Sequence, residues 1–356
     1  MEEFMSRYQS SAPTSTALLS RRHVLQGSAV LAFGAAGLSS SGARAAGGLV
    51  ALVHTQAAGD NGPVDSMIAA LKRLSSEKGF TMRAIYAQDA ATYESIFRSL
   101  GDAGAAIVVS TFNEVADPIK AVAPSYPKTK FIQLFADPFQ PAIPNVETVG
   151  YDYYLGCYLS GLFASRISKS GKIGYVGGMS LPALNADLNG LKAGAAAANP
   201  AIAVTGAFAG SFQDPAKGQE IASQMYQSGV DYIQTDSAAT DTGIIQAANE
   251  GSGRMVSAIA KTQYKLGPKT VAAIVKLDFG LSLYQEVSKA LEAGWIGHHL
   301  PTGIDTGVVD FELSDVFLKE GPADLVAKAK TIWPEIETAK KAIITGTVKV
   351  PLNTTL

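Results

Sequence analysis

Leu49-Val50-Ala51-Leu52-Val53-His54 is a run of five apolar residues closed by a histidine and bounded by turn formers. A short run that is apolar at every position, not at alternate ones, reads as a strand covered on both faces, the pattern of a parallel sheet. Working outward, Met67, Ile68, Leu71 and Leu74 recur at helical spacing within Val64–Lys78. Thr81–Tyr86 then reads as a second strand, Tyr93–Leu100 as a second helix, and Ala105–Ser110 as a third strand. A helix from about Glu114 leads to a fourth strand at Phe131–Phe135. This alternation predicts an α/β fold with helices on both faces of a parallel sheet.

The rhythm restarts after Tyr151. A helix over 156–168 leads to Lys172-Ile173-Gly174-Tyr175-Val176-Gly177-Gly178, a strand running into a glycine turn. Helices over 184–198, 215–228 and 242–250 then alternate with strands at 203–208, 230–235 and 255–259. Two tandem series without an exact repeat predict two similar lobes. The Tyr151-Asp152-Tyr153-Tyr154 cluster between them either locks the lobes together or fills the surface between them.

Upstream, Ser20-Arg21-Arg22-His23-Val24-Leu25-Gln26 is a paired-arginine segment, followed by an apolar stretch over 27–38 and by Ala43-Arg44-Ala45. These are the parts of a twin-arginine signal peptide over 1–46, cleaved near Ala45, which predicts a periplasmic protein. A membrane anchor would need about 20 apolar residues, and Ser39, Ser40 and Ser41 end the run first. The mature chain of about 310 residues is long enough for two cores. Residues 1–46 hold four of the 29 Lys+Arg and two of the 31 Asp+Glu, leaving 25 against 29, a net charge of −4. With no basic stripe, nucleic acid and anionic membrane are not expected partners.

Cys157 is the only cysteine, so no intrachain disulfide is available and no lipid-bearing cysteine stands at the cleavage site. Its apolar surroundings predict a buried core residue. His298-His299 is the only close histidine pair, with no third ligand at a suitable spacing, so no metal is expected. No nucleophile elbow, phosphate loop or metalloprotease motif occurs. Neither catalysis nor a cofactor is expected.

In open parallel sheets, ligands bind beyond the carboxyl ends of the strands. The residues just past the predicted strands are His54 and Gln56; Ser110, Thr111 and Phe112; Phe135 and Asp137; Gly210, Ser211 and Phe212; and Thr235, Asp236 and Ser237. His54 reads equally as a structural histidine, and Phe112 and Phe135 equally as core.

At Tyr158-Leu159-Ser160-Gly161-Leu162, Gly171–Gly178 and Gly210-Ser211-Phe212-Gln213-Asp214, the chain resembles the basic membrane protein family. These are solute-binding proteins of ABC importers, purine nucleoside receptors among them. Asn145-Val146, Gly229-Val230-Asp231 and Gly346-Thr347-Val348-Lys349-Val350-Pro351 extend the likeness over nearly all of 48–352. The resemblance implies a type I periplasmic binding protein: two doubly wound parallel-sheet lobes joined by a three-crossover hinge, closing on a ligand. It would place 48–151 plus 262–299 in the N-terminal lobe and 152–261 plus 300–356 in the C-terminal lobe, with crossovers near Tyr151, Lys261 and Pro301. An inner-membrane ABC permease is the implied partner, met by a monomer.

In nucleoside-binding members aromatic rings sandwich the purine, carboxylates hold the ribose and a lysine assists. Phe212 matches the aromatic of the glycine-serine-phenylalanine motif and Lys276 the family lysine. The serine-phenylalanine-asparagine motif expected after the first strand is absent. Gly59-Asp60-Asn61-Gly62 stands there instead, closer to another branch of the family. Asp60 and Asn61 are then ligand candidates, although Asp60 reads equally as a cap for the next helix. The ribose carboxylate is also missing, replaced near Ala260. Lys276 is expected to pair with ligand or with a carboxylate such as Asp236. A purine nucleobase or nucleoside is the implied ligand. The alternatives are an exported nucleoside-processing hydrolase using Asp60 or Asp236, and a sensory binding protein for another small ligand.

Overall fold

The structure, a computed structural model, describes residues 48–59 and 62–356. The signal segment over 1–46, Asp60 and Asn61 lie outside the described residues. Strand β1 (Leu49–His54) is buried along Val50–His54 and pairs in parallel with β2 (Thr81–Tyr86) and β3 (Ile107–Thr111). Helices α1 (Pro63–Lys78), α2 (Tyr93–Asp102) and α3 (Ala116–Val122) alternate with these strands, ahead of β4 (Lys130–Leu134) and β5 (Val146–Tyr151). Gly62 occupies the N-cap position of α1.

The second series comprises α4 (Tyr153–Ile167), β6 (Lys172–Gly177), α5 (Pro182–Ala198), β7 (Ala203–Phe208), α6 (Pro215–Gln227), β8 (Tyr232–Asp236), α7 (Asp241–Asn249) and β9 (Met255–Ala258). It continues through β10 (Val271–Leu277), α8 (Phe279–Ala290), β11 (His299–Thr302), β12 (Val309–Leu313), α9 (Asp315–Glu320) and α10 (Ala323–Ile344). Two six-stranded sheets result, ordered β11-β5-β4-β3-β1-β2 and β12-β10-β9-β8-β6-β7. All pairs are parallel except β10 with β12. Each sheet reverses its strand order at an equivalent place, between β1 and β3 and between β6 and β8. Both lobes belong to one compact unit of the chain.

One boundary differs from the sequence expectation. Strand β10 pairs with β9 and β12 and so belongs to the second sheet; the chain returns to the first lobe at Leu277–Phe279, not near Lys261. It leaves again after Thr302, because β11 pairs with β5. An apolar run announces a strand, but hydrogen-bond pairing decides which sheet receives it. The crossovers are tied to one another: Asp152 N donates to Thr302 O (2.9 Å) and Asp278 N to Val308 O (2.9 Å).

Close helix packing fixes the second lobe. A Cβ on Gly161 would overlap Leu191 O, and one on Gly194 would overlap Tyr158 O, so α4 and α5 meet backbone to backbone. Cys157 is fully buried there, with Gln234 Nε2 2.9 Å from its sulfur, as its apolar setting predicts. Two family motifs turn out to be structural clamps. Asn145 Nδ2 donates to Ala123 O, Tyr126 O and Thr129 O at 2.9–3.0 Å. Asp231 accepts from Ser168 Oγ (2.6 Å), Lys169 N (2.7 Å) and Ser170 N (2.9 Å).

Candidate functional site

All three crossovers leave the carboxyl ends of strands, β5, β10 and β11, so these ends of both sheets adjoin the hinge. The strained backbone is there too. Phe112 (φ 68°), Phe135 (φ 56°) and Ala238 (φ 53°) are the non-glycine residues at positive φ among the described residues. Phe112 follows β3 directly, Phe135 follows β4, and Ala238 lies two residues past β8. Such conformations cost about 1–3 kcal/mol each and persist only where the surroundings over-determine them. Here Phe112 N donates to Leu134 O (2.9 Å), Gln133 Nε2 donates to Phe112 O (2.6 Å), and Ala136 N to Val149 O (2.9 Å).

The strain places two rings. Phe112 and Phe135 stand 5.7 Å apart, centroid to centroid, and both meet Phe279, at 6.0 and 6.2 Å. Tyr151 closes the group, 5.5 Å from Phe279, and its hydroxyl lies 2.7 Å from Ser282 Oγ. Tyr151 and Phe279 are themselves crossover residues, so the aromatic cluster joins the N-terminal wall to the hinge. Just past the first crossover, Tyr153 is anchored within the second lobe by its hydroxyl to Val275 O (2.6 Å).

Other N-terminal candidates are engaged within the lobe. His54 is buried, its Nδ1 lies 2.7 Å from Gln56 O, and its ring stacks on Tyr86 at 5.6 Å. Gln56 is exposed. Asp137 is exposed and accepts from Asn113 Nδ2 (2.9 Å), while its own N–H donates to Asn113 Oδ1 (3.2 Å).

On the C-terminal side, Phe212 is partly buried with its ring lying on Gly178, where a Cβ would overlap it. Gly178 N donates to Asp236 O (2.9 Å), which brings Phe212 and Asp236 to the same strand ends. The partly buried Asp236 side chain takes the Tyr175 hydroxyl at 3.1 Å. Burial lifts the Asp236 carboxyl to about 6, although the Tyr175 hydroxyl works to lower it. Burial, and then the charge of Asp236, lift Asp187 well above the usual carboxylate range. Asp241 accepts from Ser237 Oγ (2.6 Å), Ser237 N (2.9 Å) and Gln263 Nε2 (3.1 Å), and burial lifts it to about 6. Gln263 Oε1 accepts from Ile259 N (2.9 Å) and Ala260 N (3.1 Å), so the segment lacking the family carboxylate is tied to α7 through Gln263 and Asp241.

Lys276 pairs with a carboxylate, though not with Asp236. Its partner is Glu312 on the adjacent β12 at 2.8 Å, shared with Lys261 at 2.7 Å. Burial acts to raise Glu312, but the two ammonium groups hold it below the usual range. Tyr175, Asp187, Asp241 and Gln263 were not among the residues singled out from the sequence. Within helical or strand patterns their polarity carries no mark of burial. A groove of about 420 Å³ runs along β12 and α10, lined in part by Phe311, Glu312 and Trp333.

The family model described as Bmp, ABC transporter substrate-binding protein PnrA-like, matches residues 49–342. The chain belongs to this family. Basic membrane protein A of Borreliella afzelii is 29% identical over 298 residues, 81% of this chain and 87% of that protein. Basic membrane protein A2 of Borrelia garinii subsp. bavariensis is 29% identical over 268 residues, 74% and 76% of the two chains. Among solved structures, an ABC transporter solute-binding protein from Aeropyrum pernix superposes with a TM-score of 0.71 at 21% identity, covering 86% of this chain and 94% of that one. One from Conexibacter woesei gives 0.66 at 23%, covering 85% and 98%. At those identities the two structures bear on the fold alone. The Bmp-family chain is thus a substrate-binding protein of the ABC-transporter class, with two α/β lobes.

Proposed function

We propose that this Bmp-family protein is exported by the twin-arginine route and captures a purine nucleobase or nucleoside between its lobes for an inner-membrane ABC permease. The observation that carries the reading is the pair of strained phenylalanines, Phe112 and Phe135, at the strand ends beside the hinge. Glycine would adopt those angles without strain, so side chains kept there at a cost point to use of the rings. Phe212, lying on Gly178 at the equivalent edge of the other lobe, supplies a second aromatic face for a flat ligand. Asp236 offers an acceptor for ligand N–H or O–H groups. Closure follows from a ligand that binds the closed arrangement more tightly than the open one.

One observation favours the hydrolase alternative: Asp187, Asp236 and Asp241 form a group of carboxyls near the cleft. Asp187 and Asp241 are 4% and 0% exposed, however, and both oxygens of Asp241 are already hydrogen-bonded. Of these three, Asp236 is the one left to reach a ligand. A thermal-shift panel of purine bases, nucleosides, pyrimidines, sugars and amino acids tests the proposal. A ligand at about 100 times its dissociation constant adds about 2.7 kcal/mol of stability. Purines should raise the melting temperature and be recovered unchanged. A response to sugars or amino acids alone overturns the purine reading, and product formation establishes the hydrolase.

A further inference from the structure

Lys276 is the penultimate residue of β10, just ahead of the crossover that carries Phe279 into the aromatic cluster. Lys261 follows β9, in the segment tied to Asp241 through Gln263. Both lysines therefore come from carboxyl strand ends of the second sheet, the side on which parallel sheets bind their ligands. Two unopposed ammonium groups there would make this wall of the cleft attractive to anions. They are opposed. Glu312 gives one carboxylate oxygen to each, Oε1 to Lys276 at 2.8 Å and Oε2 to Lys261 at 2.7 Å. The Lys276 and Glu312 side chains are 16% and 25% exposed, so water and salt screen this pair less than a surface pair. Glu312 is delivered by the antiparallel edge strand β12, where it stands in register with Ile274. The other carboxylates whose charge acts on Lys261 are Asp278 and Asp310. Asp278 caps α8 by accepting from Leu281 N (2.9 Å), and Asp310 is taken by Lys340 at 2.6 Å. Glu312 is the carboxylate committed to the two strand-end lysines.

We propose that Glu312 determines specificity: by holding Lys276 and Lys261 together it cancels the cationic charge at these strand ends, so that the cleft takes neutral ligands and turns away phosphorylated ones. This deepens the proposed capture of a purine base or nucleoside and rests on it for the ligand, though not for the exclusion of anions. A phosphate drawn to Lys276 would have to displace Glu312. The displaced carboxylate would then stay partly buried, short of a cation and beside a second negative charge, and both consequences are unfavourable. Discrimination is thus obtained by a repulsive element set against the wrong ligand, without any contact from Glu312 to the right one.

Calorimetric titration of adenosine and of adenosine monophosphate, which differ by the phosphate alone, tests this in the wild type, Glu312→Gln and Glu312→Ala. The wild type should prefer the nucleoside by about 100-fold or more. In either variant the ratio of the two affinities should fall by about tenfold or more, and the gain for the monophosphate should shrink as salt is added. Adding Lys276→Met to Glu312→Gln should abolish the gain, which places it at Lys276. Glu312→Ala keeps the test open if Glu312→Gln folds poorly, with a denaturant melt of each variant as the check. In parallel, inorganic phosphate is titrated into the same proteins and followed by phosphorus NMR. Both Glu312 variants should bind it more tightly than the wild type does. An unchanged affinity ratio together with unchanged phosphate binding in well-folded variants overturns the role of Glu312, and leaves the purine reading intact if adenosine still binds. If no purine binds the wild type while the variants gain phosphate, the purine reading fails and the role of Glu312 stands.

Discussion

Phe112 and Phe135 stand 5.7 Å apart on neighbouring strand ends, and each reaches that position through a backbone angle that glycine would adopt without strain. Two truncations of Phe112 separate the cost of the backbone angle from the loss of the ring. Phe112→Gly and Phe112→Ala remove the same ring, but only alanine keeps the disfavoured angle. Phe112→Gly should be the more stable by about 1 kcal/mol or more in denaturant unfolding. Equal stabilities would mean that the backbone relaxes freely, and the argument from strain would be lost.

Phe212 is partly exposed and rests on Gly178, so its ring should contribute more to ligand than to fold. Phe212→Ala should weaken purine binding by roughly 10- to 100-fold, the order expected for lost stacking and apolar area. Its unfolding midpoint should change little, and Phe212→Trp should retain most of the affinity. Titration calorimetry with a chemical melt of the same samples separates the two effects.

Much of the first lobe could be read directly from the chain, because β1 and β3 are buried on both faces and therefore apolar throughout. Strand β5 was not, since Glu147 and Thr148 interrupt Val146–Tyr151 although both side chains are buried. Strand β12 carries Asp310 and Glu312 for the same kind of reason: they answer Lys340 and Lys276. The candidate site was legible at its rim, where strand-end position and motif singled out Phe112, Phe135, Phe212 and Asp236. Its support was not. Asp187 lies between Ala186 and Leu188 in a helix whose inner face also buries Asn185, so polarity and burial part company. Lys276 was read from its motif alone, and a partner on an adjacent antiparallel strand leaves no mark in local sequence.

The helix pair α4–α5 leaves no room for a side chain at Gly194. Gly194→Ala should destabilise the protein by about 1–3 kcal/mol, because the obstacle is the backbone carbonyl of Tyr158 and not a flexible side chain. The measure is the denaturant midpoint, with the exposed Gly253→Ala excluded as a control because its positive φ adds a separate cost.

Glu147 offers a pH prediction away from the cleft. It is 1% exposed, and burial, followed by the nearby Glu286 charge, lifts its carboxyl to about 7. His298 Nδ1 lies 3.7 Å from it, too far for a hydrogen bond. A raised native value means that the folded protein binds this proton more tightly than the unfolded chain does. Stability then falls as the pH climbs from the unfolded value of about 4.3 towards the native one. Glu147→Gln removes that loss. It should stabilise the protein by about 2–3 kcal/mol at pH 8 and change little at pH 5, as read from melts at the two pH values.

Titration calorimetry of the wild-type protein with adenine and with adenosine, followed by chromatography of the recovered ligand, tests the central claim most directly. The account predicts one purine bound per chain, released chemically unchanged, with the free base bound at least as tightly as its nucleoside because no carboxylate stands at Ala260. Absence of heat with every purine at millimolar concentration, or conversion of adenosine to base and sugar, would contradict it.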